Sequence, residues 1–154
     1  MPIKAMIIDD ERLARNELKK LLEQHPEIEI IDEASNVDEG VEKIDLAHPE
    51  LIFLDIQMPG KTGFDLLAEL EKSPKVIFTT AYDEFALKAF EVNALDYLLK
   101  PLNPKRLAEA VTRFRIKSVQ SAEQSQDGQR LDASKKIFIK DGFDDPLEDF
   151  KEYQ

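Results

Sequence analysis

Cysteine is absent from the 154-residue chain, which excludes a disulfide framework, a thiolate zinc site and a cysteine nucleophile together. Also missing is any apolar stretch near the roughly 20 residues that a membrane-spanning helix needs. The opening run, MPIKAMIIDD, is too short for a secretion signal and closes on two acids. Glycine is scarce, 5 in the whole chain. No G-x-G-x-x-G follows the first apolar run, so a glycine-rich nucleotide or flavin cradle is disfavoured. Positive charge is in deficit: 21 Lys and Arg stand against 32 Asp and Glu, a net charge of -11. A surface that negative repels phosphate backbones and anionic lipid, so neither nucleic acid nor membrane is expected as a partner of this chain alone. These absences describe a soluble, cytoplasmic protein.

What the chain does have is apolar mass in a regular rhythm. Hydrophobic residues make up 42% and charged residues 34%, a balance that supports a packed core. Four short runs rich in Ile, Val, Leu and Phe stand out: Ile3 to Ile8, Ile28 to Ile31, Leu51 to Leu54 and Val76 to Thr79. A shorter one runs from Tyr97 to Leu99. Each is continuous or nearly so, the pattern of a strand buried on both faces. Between them the spacing is helical. Leu13, Ala14, Leu18, Leu21 and Leu22 form one apolar stripe, and Val37, Val41 and Ile44 a second. Phe64, Leu67 and Leu70 form a third, Phe85, Ala86, Ala89 and Phe90 a fourth, and Leu107, Ala108, Val111 and Phe114 a fifth. Asn36 with Glu39 is close to a capping box, and Asn103 reads as a cap with Pro104 at the first helical position.

Strand and helix thus alternate five times. That order predicts right-handed crossovers and a mostly parallel sheet with helices on both faces. The expected fold is a doubly wound α/β domain over residues 1–117. Composition then shifts: residues 118–134 (SVQSAEQSQDGQRLDAS) are rich in Ser, Gln and Asp and read as a solvated linker. Residues 135–154 hold one strand-like run, KIFIKDG, and an acidic end, too little for an independent core. They read as a fragment of an output domain or a disordered acidic tail.

Ligands of an open parallel sheet bind beyond the carboxyl ends of its strands, so the residues that follow each strand carry the chemistry. Asp9, Asp10 and Glu11 follow the first strand, Asp55 the third, Thr80 the fourth and Lys100 the fifth. Crowded carboxylates repel one another and favour a hard divalent cation with oxygen ligands, for which Mg²⁺ is the natural choice. Lys100 offers a compact positive charge for a phosphate oxygen, and Thr80 a rotatable hydroxyl. An Asp carboxylate can attack phosphorus and give an acyl phosphate, while cation, Lys and Thr spread the charge on the equatorial oxygens. The turn Met58-Pro59-Gly60 can expose Asp55 and aim the backbone carbonyl of Gln57 at the metal. Lys100 stands before Pro101, which biases it to extended geometry and leaves both isomers of the bond open. Any one of these acids could be a cap or a turn residue. Four strand ends carrying this set in this order are not explained by capping.

The stretches IIDDE, LDIQMPG and TTAYDEFALKAFEVNALDYLLKP, at this spacing, resemble the receiver domain of two-component response regulators. The last stretch is most similar to receivers of the LytTR (LytR/AlgR-like) transcription-regulator group. The resemblance covers residues 1 to about 117 and implies a flavodoxin-like sheet of order 2-1-3-4-5. It implies that Asp55 is the phosphoacceptor, and that Asp10, Asp55 and the Gln57 carbonyl bind Mg²⁺ directly while Asp9 acts mainly through a bound water. Thr80 would be the switch hydroxyl, Lys100 the phosphate-binding lysine and Tyr97 the aromatic that turns inward. The implied donor is a phosphohistidine on a sensor histidine kinase. Beyond self-phosphorylation from small phosphodonors and self-dephosphorylation, no enzymatic turnover is implied. Phosphorylation would reshape the face of the fourth helix, fifth strand and fifth helix, strengthening a homodimer or controlling output. LytTR regulators continue into a DNA-binding domain, so DNA belongs to a full-length parent rather than to these residues.

Two alternatives stand beside this reading. A haloacid-dehalogenase-like Mg²⁺ phosphohydrolase also uses a strand-end Asp, but needs a second Asp two residues on, where this chain has Gln57. A degenerate receiver would act as a phosphorylation-independent interaction module, against which the complete acid, Thr and Lys set argues. His25 and His48 each precede a proline at a predicted helix end and read as C-terminal cations, not as a relay.

Overall fold

The apolar runs all become strands and the stripes all become helices in the computed structural model, which describes residues 2–127. In chain order these are β1 (Ile3–Ile8), α1 (Arg12–Leu22), β2 (Ile28–Ala34), α2 (Val37–Ala47) and β3 (Leu51–Leu54). There follow α3 (Gly63–Glu69), β4 (Lys75–Thr80), α4 (Ala86–Glu91), β5 (Asp96–Leu99) and α5 (Pro104–Asp127). All strand pairs are parallel, in the flavodoxin-like order β2-β1-β3-β4-β5.

The sheet is a wall with a different core on each side, because successive side chains of a strand point to opposite faces. Met6, Ile8, Ile52, Leu54, Val76 and Phe78 meet Val37, Ile44, Phe64, Leu66 and Ala89 from α2, α3 and α4. Ala5, Ile7, Leu51, Phe53, Ile77 and Leu98 meet Leu18 and Leu22 of α1 and Leu107, Val111 and Phe114 of α5. β3 is buried at every position, as a central strand must be. Each such Leu, Ile or Phe contributes roughly 1.5–3 kcal/mol by leaving water.

Helix starts follow the local chemistry. Asn36 Oδ1 accepts from Glu39 N at 2.8 Å, and Glu39 reaches back to Ser35 N, one residue earlier than a capping box requires. Thr62 and Asp65 close a full capping box on α3. Asn103 Oδ1 accepts from Lys105 N and Arg106 N, with Pro104 opening α5. His48 caps α2 in the left-handed region at φ 52°.

Four differences from the sequence reading have simple causes. β2 is longer than Ile28 to Ile31, and between its buried ends Ile28 and Ala34 it is only partly buried or exposed because it is an edge strand. Leu13 is 77% exposed: it lies five residues before Leu18, about 140° around a helix of 3.6 residues per turn. Phe90 is 76% exposed, about 100° around α4 from the buried Ala89. Helix α5 continues to Asp127, into the segment expected to be a linker, since Ser118 to Asp127 contains neither Gly nor Pro and its Gln, Glu and Ala favour helix. The chain divides into two units between Phe114 and Arg115, and the first carries the whole sheet. The rest of the expected linker and the expected output fragment at 135–154 lie outside the described residues.

Candidate functional site

Register builds the site. Ile8 of β1 pairs with Leu54 of β3, so the residues that leave these strands, Asp9 and Asp55, emerge side by side at the carboxyl edge. Asp55 N donates to Ile8 O at 2.9 Å and Asp9 N to Ala34 O at 3.0 Å, which pins both backbones. Asp9, Asp10 and Asp55 bring carboxylate oxygens within 4.8 Å of one another. Asp9 and Asp55 are buried, at 3% and 5% exposure, while Asp10 is exposed.

Lys100 arrives from the far end of the sheet. Its backbone N donates to Thr80 O at 2.8 Å, prolonging the β4–β5 ladder, and the Lys100–Pro101 bond is cis. The ammonium lies 2.8 Å from Asp9 Oδ2, 3.5 Å from Asp55 Oδ2 and 3.9 Å from Glu11 Oε1.

Burial first, then the Asp9 charge, pushes the Asp55 carboxyl up to about 7, against the pull of Lys100 and of the Ile56 N–H that donates to its Oδ1 at 2.8 Å. Burial opposes the charge on Lys100, yet the hydrogen bond to Asp9 and the nearby Asp55 hold its pKa above that of an ordinary lysine. One ammonium therefore serves three crowded acids. A hard oxygen set carrying excess negative charge fits a hard divalent cation such as Mg²⁺.

The remaining predicted residues have distinct places. Gln57 is exposed between buried Ile56 and Met58, in the turn that leads to Gly60 at φ 86°. Thr80 is fully buried at the end of β4, where its Oγ1 accepts from Tyr82 N at 3.3 Å. Tyr97 packs on Phe78 and donates its hydroxyl to the carbonyl of Tyr82. Asp9, Asp10, Asp55 and Lys100 thus form one cluster, and Thr80 and Tyr97 meet at Tyr82. Gly63 packs against the backbone of this cluster: its N donates to Ile56 O at 2.9 Å, and a Cβ there would sit 2.5 Å from Asp55 O.

Two residues escaped the sequence reading. Arg15 Nη1 donates to the carbonyl of Asp9 at 2.8 Å while its Nε donates to Glu33 at 2.9 Å. Lys19 shares Glu33, and its hydrogen bond, followed by that of Arg15, outweighs burial and keeps that carboxyl below its ordinary range. The only available signal was an Arg one helical turn past Glu11, which looks like any solvated helix charge. Tyr82 was equally silent, because it acts through its backbone.

The profile of the response regulator receiver domain matches residues 5–112. The chain belongs to the response regulator receiver family. It is 53% identical over 114 residues to an uncharacterised response regulatory protein of Vibrio cholerae, covering 73% of this chain and 48% of that protein. It is 43% identical over 116 residues to the sensory transduction protein LytT of Bacillus cereus, covering 73% and 47%. The receiver thus spans about half the length of the curated relatives it matches. The response regulator TrrA of Thermotoga maritima, solved in complex with Mg²⁺ and BeF, superposes with a TM-score of 0.64 at 32% identity, over 73% of this chain and 98% of that one. Receivers are signalling domains. No helix among the described residues is long and apolar enough to cross a membrane.

Proposed function

We propose that this receiver accepts a phosphoryl group from the phosphohistidine of a sensor histidine kinase onto Asp55, and converts the new charge into a change of its α4–β5–α5 face. The observation that carries this reading is the buried Asp55 carboxylate, crowded by Asp9 and Asp10 and faced by Lys100 at 3.5 Å. Asp10, Asp55 and the Gln57 carbonyl would hold Mg²⁺, with Asp9 acting through water. Bound there, the cation would neutralise the acids and draw in the phosphoryl oxygens.

The chain's own groups then do the following. Asp55 Oδ1 is taken by the Ile56 N–H, so Oδ2, on the Lys100 side, is the oxygen free to attack. The new O–P bond forms as the P–N bond to the histidine breaks, its electron pair returning to the ring nitrogen. Lys100 swings from Asp9 to a phosphoryl oxygen and Thr80 gives its hydroxyl to another. Phosphorylation adds about -1.5 to -2 charges and three acceptor oxygens. As Thr80 is drawn in, the loop holding Tyr82 follows and Tyr97 turns inward. Water later attacks phosphorus and returns Asp55 to a free carboxylate.

The face so altered is apolar and open. Leu87 and Phe90 of α4 are 70% and 76% exposed, and Leu99 at the end of β5 is 47% exposed. Asp96, by contrast, is already paired within the chain by Arg106 and Arg113. Such a face suits a homodimer strengthened by phosphorylation. In a longer, cytoplasmic parent with an output domain, the same change would control transcription.

The test is incubation with acetyl phosphate and Mg²⁺ followed by intact-mass measurement. One phosphoryl adduct is expected, lost in Asp55→Asn and absent with chelator. Labelling that survives Asp55→Asn would overturn the assignment.

A further inference from the structure

Asp9 is the hinge between the sheet and the acidic loop, and both ends of its backbone are held. Its N–H is fixed to Ala34 O. Its carbonyl accepts the Nη1 of Arg15 at 2.8 Å, and that same guanidinium donates its Nε to Glu33 Oε1 at 2.9 Å. The Arg15 side chain is only 15% exposed, far more enclosed than an ordinary helix charge. Lys19 also pairs with Glu33 but makes no contact with Asp9. The peptide that joins Asp9 to Asp10 therefore has its plane set by a planar fork anchored on β2.

Resting on the Mg²⁺ reading of the acidic cluster, we propose that Arg15, braced by Glu33, is a positioning residue for that cluster. It holds the Asp9–Asp10 peptide so that the exposed Asp10 carboxylate stays beside Asp55. Asp10 is the exposed member of the three, held between this peptide and the Glu11 N–H, which donates to Asp9 Oδ1 at 2.9 Å. Loss of an outer partner of a metal ligand typically lowers metal affinity about 10- to 100-fold.

The sign of the effect separates positioning from charge. Arg15 is a cation near a cation site, so by Coulomb's law alone its removal would tighten Mg²⁺ binding. Positioning predicts the opposite. The experiment is calorimetric titration of the full chain with Mg²⁺ alone, alongside thermal unfolding without metal. Arg15→Met is expected to weaken Mg²⁺ about 10-fold, and Lys19→Met, which removes an equal charge from Glu33, to leave affinity unchanged or slightly tighter. Arg15→Lys keeps the charge and the stem but loses the two-pronged reach, and is expected to weaken binding several-fold even if Arg15→Met does not fold. Equal or tighter binding in the folded Arg15 variants would overturn the proposal, as would equal weakening in Lys19→Met. Wild-type protein that binds no Mg²⁺ would instead remove the underlying reading of the site.

Discussion

Lys100 Nζ lies 2.8 Å from Asp9 Oδ2 and so joins residues 91 apart in sequence. On the proposed reading the lysine stands beside the cation site, so it would oppose binding of a cation while aiding capture of a phosphoryl group. Lys100→Met is expected to tighten Mg²⁺ a few-fold and to slow phosphorylation by acetyl phosphate at least tenfold. Calorimetry and intact-mass time courses measure the two effects separately, and a slowing of both binding and transfer would contradict this division of labour.

The Asp55 carboxyl carries a pH signature. Burial and Asp9 raise it from 3.8 to about 7. An acid whose folded pKa is raised weakens the fold as pH climbs from the unfolded value to the folded one, and no further above it. Metal-free protein should therefore lose stability between about pH 4 and pH 7. Asp55→Asn should be more stable than wild type at pH 7.5, by on the order of 2–4 kcal/mol, with the gap closing near pH 4. Urea unfolding at a series of pH values measures it; a gap that does not depend on pH would contradict the assignment.

Gly63, at the start of α3, packs directly against the backbone of Asp55. A methyl there meets the backbone oxygen of Asp55 at 2.5 Å and Leu54 Cγ at 3.1 Å. Gly63→Ala should cost about 1–3 kcal/mol by overpacking and slow phosphorylation as Asp55 shifts. Gly60 meets nothing within 4 Å but sits at φ 86°, so Gly60→Ala should cost about 1–2 kcal/mol with a smaller effect on rate.

Phe90 and Leu87 face solvent, so serine at either position should change stability by no more than about 0.5 kcal/mol. With Mg²⁺ and beryllofluoride as phosphoryl mimic, wild type should sediment as a heavier species than Phe90→Ser at equal concentration. Identical distributions for the two proteins would remove this face from the dimer.

Much of the architecture could be read in advance because central strands are uninterrupted. LIFL at β3 and the AMII end of β1 are apolar at every position, and the acids that follow them had to sit at one edge. Less was legible where a single rotation decides the outcome. Leu13 and Phe90 share a stripe by composition and leave it by angle, and only packing shows which side they take. The Arg15–Asp9 contact was invisible for a different reason. Its acceptor is a backbone carbonyl, and a carbonyl leaves no mark on the residue type that carries it. The same holds for Tyr82, which offers its N–H towards Thr80 and its carbonyl to Tyr97.

The two compartments on either side of the sheet share strands but keep separate side chains. Leu18 and Ile44, one in each, never compete for the same space. Retailoring the α1 and α5 side for a new partner leaves the packing beneath α2, α3 and α4 undisturbed. A lineage can thus vary the packing under α1 and α5 while Phe64, Phe78 and Tyr97 keep theirs on the opposite side of the sheet.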